Sequence, residues 1–433
     1  MRTFNLGLGQ CGRYVTYEMY KQMSQPRYLP IFDQFDFFTG DFEQITHKDE
    51  LERAGVTYIK EKEIHHRSLS TQTGGGVGGL WFVSKEVAKQ EFSKFYESIE
   101  GIYPFDSSVF NFVHSGGGGT GCGTGPTFLD LIYEKVQEKW KKEKKFEETI
   151  FFSTLVLPFE GESAKYPITE SNSAAAIGRY MESKAHSVFL MDNSTVDEIK
   201  ERDKISGLSR EIANRWIAQW WIWLTAASTE DPSILTYEVS FETADMRRHF
   251  YNGDKPGIII PCYKEYSIEY FTKGNFTLYG LIAKTLQNYL LTNCLIEKFR
   301  SIVIFIIIPM RLKEKLQPIL PESHKIGAWL TDTFDHEDHF VSYIHHDTPT
   351  NTLKIVAFLS DPYIPIFVDY YNKFKKVVYS KNDLEHMIRR AAPRHVSKNE
   401  LQYFVEEGRS EYLKAFEKYE KFLKKEKYEL EGS

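Results

Sequence analysis

The sequence predicts an α/β protein with a Rossmann-like first domain, a central buried helix, a second, smaller α/β domain and a long C-terminal helix. Three observations predict it. Short apolar runs alternate with helix-length segments over the first 200 residues. Glycine gathers at the ends of those runs, with 15 of the 28 glycines inside 7–12, 74–79 and 116–125. Within 206–228, Ile212, Trp216, Ile217, Trp220, Trp223 and Leu224 follow helical spacing, and Trp221 makes the segment apolar nearly all round. Such a helix is buried between two layers.

The elements follow in order. Phe4-Asn5-Leu6 is a strand that runs into Gly7–Gly12 and then a helix from Tyr14 to Met23. Val109–Val113 leads into the largest glycine cluster, after which Pro126 opens a helix to Trp140. Proline suits a first helical turn, where an N–H has no partner to lose. Phe151–Leu157 and Val188–Met191 add two short strands. Strand–loop–helix repetition of this kind predicts a parallel sheet covered by helices on both faces. Gly257–Pro261, Ile302–Ile308 and Leu353–Leu359 are the strands of the second α/β region. From Ser397 the pattern is one long helix, with Leu401, Val405, Tyr412, Phe416, Tyr419 and Leu423 on one face. Its charges nearly cancel, eight basic against nine acidic from Lys398 onward, which predicts a packing or partner helix. The expected boundaries are 1–205, 206–230, 231–396 and 397–433.

Composition removes several function classes. With 54 Lys+Arg against 60 Asp+Glu, the net charge of −6 gives no electrostatic ground for direct nucleic-acid binding. The longest apolar run, Ile302–Ile308, is far short of a membrane span. No signal-peptide core follows Met1, and the four cysteines lie far apart, so reduced thiols and a cytoplasmic location are expected. The histidines at 324, 336, 339, 345 and 346 crowd together near several acids, but a polar loop is the expected reading rather than a metal site. His65-His66 is expected at the surface.

A glycine loop after a strand lets backbone N–H groups converge on an anion, and the following helix N-terminus adds a favourable dipole. Gly7-Leu8-Gly9-Gln10-Cys11-Gly12 fits GxGxxG, which alone points to a dinucleotide-binding oxidoreductase using NAD(P), with Asp33 or Asp36 at ribose distance. That reading leaves the other two clusters unexplained. No GxxxxGK[ST] loop occurs.

Flanking residues sharpen the comparison. Gly117-Gly118-Gly119-Thr120-Gly121-Cys122-Gly123 matches the GGGTG[ST]G loop of the tubulin/FtsZ superfamily, with cysteine at the hydroxyl position. Gly9-Gln10-Cys11-Gly12 resembles that family's first nucleotide loop. Gly74, Gly75 and Gly76 fall where it senses the γ-phosphate, and Pro158-Phe159-Glu160-Gly161 resembles its ribose loop. Asn193, after Asp192, and Asn214, on the central helix, fall where it reads guanine. Two amides can pair with the guanine edge and mismatch the reversed donor pattern of adenine. Arg210 stands where the family stacks an aromatic on the base; a guanidinium plane can stack there too.

The resemblance implies a GTPase with GTP/GDP and Mg²⁺ as cofactors, Asp41 being a candidate on the Mg²⁺ side. In this superfamily one subunit docks its catalytic loop on the nucleotide of the next. Ser240–Arg247 is similar to the pattern NxDxxDxR, with Ser240 for asparagine and Glu242 for the first aspartate. Glu242 and Asp245, three apart, are the implied catalytic acids, Asp245 ahead of Glu242. The implied partner is therefore a second copy of the chain, head to tail in a dynamic filament. The long C-terminal helix resembles the TubZ branch, whose filaments segregate plasmid and phage DNA. That implies a DNA-binding adaptor at the helix end near Lys421–Lys425, with no direct nucleic-acid or membrane contact. An FtsZ-like division filament is the alternative.

Overall fold

The computed structural model describes residues 2–42, 47–53, 55, 64–69, 78–101, 108–140, 149–229, 231, 235–253, 255–269, 273–274, 276–393 and 396–430. Its strands are β1 (Thr3–Leu8), β2 (Phe35–Asp41), β3 (His65–Ser68), β4 (Val109–Ser115), β5 (Ile150–Leu157), β6 (Ser187–Asp192), β7 (Leu235–Tyr237), β8 (Gly257–Ser267), β9 (Ser301–Pro309), β10 (Asp338–His346) and β11 (Thr352–Ser360). They form one sheet in the order β3-β2-β1-β4-β5-β6-β8-β11-β9-β10-β7. The half from β3 to β8 is parallel throughout, as the strand–helix alternation predicts. In the second half β11 runs antiparallel to both β8 and β9, so that region is mixed.

The helices that position the site are α1 (Gly9–Met23), α2 (His47–Arg53), α3 (Trp81–Glu100), α4 (Gly119–Trp140), α5 (Glu160–Lys165), α6 (Ile168–Tyr180), α7 (Asn193–Asp203), α8 (Ser209–Ala226), α9 (Thr243–Phe250), α10 (Leu278–Asn288), α11 (Ser323–Thr333), α12 (Ile366–Tyr379), α13 (Lys381–Ala391) and α14 (Lys398–Lys425). Helix α8 is the expected central helix. Trp220 stacks on Phe189 of β6 and meets Phe358 of β11 edge-on, while Trp221 donates its indole N–H to Thr154 at 3.1 Å. One helix thus packs against both halves of the sheet. Trp216, at the end of the stripe, is only partly buried.

Two starts differ from expectation. Helix α1 begins at Gly9 rather than Tyr14, and α4 begins at Gly119, so Pro126 lies inside it. Proline has no N–H to give the carbonyl four residues back. That carbonyl, Cys122 O, instead accepts from the Arg179 guanidinium of α6 at 2.7 Å. A side chain from the neighbouring helix replaces the lost bond.

The histidine-rich segment is also corrected. His336 precedes β10, His339, His345 and His346 lie on it, and His324 is on α11. The apolar pairs Phe340-Val341 and Tyr343-Ile344 lie within a strand that the polar count obscured. His346 is buried and donates its Nε2–H to Arg27 O at 3.0 Å. No group of metal-ligating residues occurs among the described residues. His65 and His66 lie on the edge strand β3, half-buried rather than exposed, with His66 Nδ1 2.9 Å from the Thr39 hydroxyl. None of the described helices is long and apolar enough to cross a membrane.

Burial holds several imidazoles neutral. It pushes His114 down to about 4, and His249 and His346 likewise to about 4. The unfolded chain then binds more protons between about pH 4 and 6.5, so stability is lost as pH falls through that window. For His114 alone the loss reaches about 2 kcal/mol at pH 5. Denaturant midpoints should therefore drop between pH 7 and pH 5, and drop less in His114→Gln.

Candidate functional site

In the parallel half the strands end on one edge of the sheet, and β1 and β4 send their chains to opposite faces there. Such a switch point forms a crevice at the carboxyl ends of the strands. Here it is a cleft of about 980 Å³ between α1 and α8, floored by Leu8, Ser115, Val156 and Pro158. Three helices, α1, α4 and α7, start at this edge and turn the positive ends of their dipoles toward it.

The first loop brings Gly9, Gln10 and Cys11 to the wall. Gly9 has φ +68°, a conformation in which a side chain would be strained. From the third loop Gly118, Gly119, Thr120 and Gly121 line the cleft. A Cβ on Gly119 would lie 2.4 Å from Gly78 O, so glycine there lets the second glycine segment close onto the third. Asn193, Arg210, Asn214 and Asp41 also line the cleft. Asp41 sits at the end of β2, where Arg13 Nε approaches its carboxylate at 3.3 Å.

Other expected site residues stand behind the wall. Gly12 packs so closely on β4 that a Cβ would meet Val113 O at 2.1 Å, and Gly123 packs likewise on Trp81 O. Gly117 does not line the cleft; it packs on Thr169. Cys122 is buried, donates its thiol to Asn172 O at 3.1 Å, and is pushed up to about 12 by burial. It takes the hydroxyl position of the motif without reaching a ligand. Cys122→Ser should therefore leave nucleotide affinity within about twofold in a titration, since a neutral buried donor replaces another. Glu160 faces away, toward a second pocket against α12 and α13, and its place on the cleft is taken by Glu162 two residues on. Gly74, Gly75 and Gly76 lie outside the described residues, but Gly78 of that cluster is on the wall.

Asp33 is exposed ahead of β2, and Asp36 lies near its amino end, paired with Arg2 at 2.8 Å. Neither reaches the carboxyl edge, so the ribose contact expected of a dinucleotide site is not formed by them. Asp192 does not line the cleft; it caps α7 through Ser194 N and the Thr195 hydroxyl, each at 3.0 Å, which orients Asn193. Asn193 is 9% exposed, and its Oδ1 is buried with no hydrogen-bond partner. An acceptor in that state fits a ligand that brings a donor.

Sequence reasoning missed several wall residues. Tyr14, Glu18 and Lys21 follow Gln10 at helical spacing on α1, and Arg215 adjoins Asn214, so both sets were visible in principle. Arg53 on α2 carried no comparable signal.

Glu242 and Asp245 do not line the cleft. They start α9, where Asp245 accepts the Glu242 N–H at 2.9 Å. Arg247 of that helix donates to Thr149 O just before β5, and Phe250 O accepts from Ser187 at the start of β6. Helix α9 therefore sits at the amino edge of the sheet. The eight-residue β5 separates it from the cleft by roughly 25 Å at about 3.3 Å per residue.

Fold and cleft define an α/β protein with a glycine-lined crevice at the carboxyl edge of a parallel sheet and no Walker-type loop. Residues 2–201 match the model of the Tubulin/FtsZ family, GTPase domain. Among solved structures, CetZ from Methanosaeta thermophila is 18% identical with a TM-score of 0.61, covering 98% of each chain. CetZ2 from Haloferax volcanii, in a GTPγS-bound protofilament, is 14% identical with a TM-score of 0.62, covering 96% of this chain and 99% of that one. An FtsZ dimer from M. jannaschii is 16% identical with a TM-score of 0.59, covering 83% and 88%. The family match is confined to residues 2–201, and the solved structures share the fold of the chain.

Proposed function

We propose that this chain binds GTP in the cleft and hydrolyses it between subunits of a head-to-tail filament. The observation that carries this reading is the placement of the cleft and the acids at opposite edges of one sheet. A single subunit cannot bring Glu242 or Asp245 to its own cleft across β5, whereas stacking one subunit on the next brings amino edge to carboxyl edge. The CetZ2 structure that shares this fold is a GTPγS-bound protofilament, which supports self-association.

Within this reading the first turns of α1 and α4 hold the phosphates, and the orphaned Asn193 Oδ1 with the Asn214 amide reads guanine. Arg210 lies against the base. The carboxylates of the neighbouring subunit polarise the attacking water. Asp41, one of the carboxylates lining the cleft, would hold Mg²⁺, an ion that takes most of its ligands from phosphate and water and offsets phosphate charge. We assign 1–205 to nucleotide binding, 206–230 to the central helix, 231–396 to activation and 397–433 to the C-terminal helix.

The reading covers a plasmid or phage segregation filament of TubZ type and an FtsZ-like or CetZ-like filament alike. An adaptor at α14 would meet only its outer face. The inner face lies against α6, α12 and α13, and Phe422 and Leu423 within the Lys421–Lys425 segment are buried. The test is phosphate release and pelleting against protein concentration with GTP. Both should rise above one shared threshold; release proportional to concentration from zero would overturn the split site.

A further inference from the structure

Residue Asn172, on α6, is 0% exposed and touches neither the cleft nor α9. Its amide nonetheless joins three separate parts of the chain. Nδ2 donates to Gly79 O at 2.8 Å and to Gly117 O at 3.0 Å, which are the second and third glycine segments. Oδ1 accepts from the Tyr412 hydroxyl of α14 at 2.7 Å. Every hydrogen-bonding capacity of Tyr412 as a donor is thus spent on one residue that clamps both loops, some 240 positions away in the chain.

Gly79 O and Gly117 O can only accept, so the NH₂ of Asn172 must face them. The Tyr412 hydroxyl, kept protonated by burial, donates to the remaining Oδ1 and anchors the amide in that orientation. Gly78 and Gly118–Gly121 line one stretch of the cleft, where Gly119 closes onto Gly78 O, and Gly79 and Gly117 adjoin them. The spacing of these loops is therefore set by Asn172, and the orientation of Asn172 by the C-terminal helix.

We infer that Asn172 is a positioning residue through which Tyr412 of the C-terminal helix sets the preference of the cleft for a nucleoside triphosphate over a diphosphate. This rests on the nucleotide reading above. A triphosphate must satisfy both loops at once, whereas a diphosphate can be held by the third loop and the first. Loosening the clamp therefore weakens the triphosphate selectively.

The test is titration of the full chain with GTPγS and with GDP, in wild type, Tyr412→Phe and Tyr419→Phe. Tyr412→Phe keeps the ring contacts with Trp81, Phe82 and Phe374 and removes only the hydroxyl. Tyr419→Phe is a matched control: a buried hydroxyl on the same helix, donating to Phe367 O at 2.9 Å. Tyr412→Phe should weaken GTPγS about 5-fold, the loss of one buried hydrogen bond, and GDP less than 2-fold. Tyr419→Phe should change neither. Equal losses on both nucleotides, equal effects of the two variants, or no change in Tyr412→Phe would overturn the inference while leaving the nucleotide reading standing. Failure of the wild type to bind either nucleotide would remove both. Asn172→Asp, which turns a carboxylate toward the two carbonyls, should reproduce the selective loss with a larger factor.

Discussion

Asp245→Asn should bind GTP and form filaments like the wild type while releasing phosphate about 10²–10⁴-fold more slowly, the range typical of a lost general acid–base group. The choice of asparagine matters. Asp245 accepts the Glu242 N–H and so starts α9, and removing that acceptor costs about 1 kcal/mol of helix start. Asparagine keeps an acceptor and deletes the charge, so a loss of turnover with an unchanged melting temperature isolates the chemistry. Glu242→Gln tests the exposed partner in the same way. Filaments of either variant should persist after GTP addition, because turnover is what destabilises them. Mixing supplies a second check. At a GTP concentration below the weakened affinity of Asn193→Ala, Asp245→Asn subunits and Asn193→Ala subunits each turn over slowly alone, yet a mixed filament contains junctions where an intact acid meets an intact cleft. Turnover should reappear on mixing; its absence would sink the trans-acting assignment.

Such a two-edged site was legible in the sequence only as a list of parts. The glycine loops and the order of their flanking residues located the cleft because backbone conformation at a phosphate loop needs glycine whatever else varies. Motif membership did not separate wall from support. Gly12, Gly117 and Gly123 are glycines for close packing behind the wall. Cys122 fills a hydroxyl position with a thiol that turns inward. Glu160 lies in the Pro158–Gly161 segment and Glu162 just after it, and the start of helix α5 decides which one faces the cleft. Helix starts were misread for one reason. A glycine run lowers helix propensity so strongly that α4 was expected to open at Pro126, whereas tertiary packing and Arg179 hold it from Gly119. The His-rich strand was hidden because polar residues outnumber the apolar ones on β10, and its apolar pairs, 340–341 and 343–344, lack the strict alternation of a strand. Asn172 had no sequence signal: its partners lie 93, 55 and 240 positions away.

Asn193→Ala separates recognition from packing by the sign of two measurements. In the nucleotide-free chain Asn193 Oδ1 is buried without a partner, a state that costs about 1–3 kcal/mol. Alanine removes that orphaned acceptor, so the nucleotide-free protein should melt no lower than wild type. Guanine repays the cost by donating N1–H and N2–H, whereas adenine presents an acceptor on the same edge. The substitution should therefore weaken GDP by about 30- to 100-fold, consistent with a lost buried pairing of about 2–3 kcal/mol. ADP affinity should stay unchanged, so the guanine preference narrows by the same factor. Asn193→Asp keeps acceptors toward N1–H and N2–H and should retain the preference. A structural role for Asn193 makes the opposite forecast: a lower melting temperature, and equal losses for both bases. Isothermal titration with GDP and ADP, beside a nucleotide-free melt, distinguishes the two. An unchanged GDP-to-ADP ratio in Asn193→Ala would remove Asn193 from guanine recognition and leave that task to Asn214 on α8, which lines the same cleft.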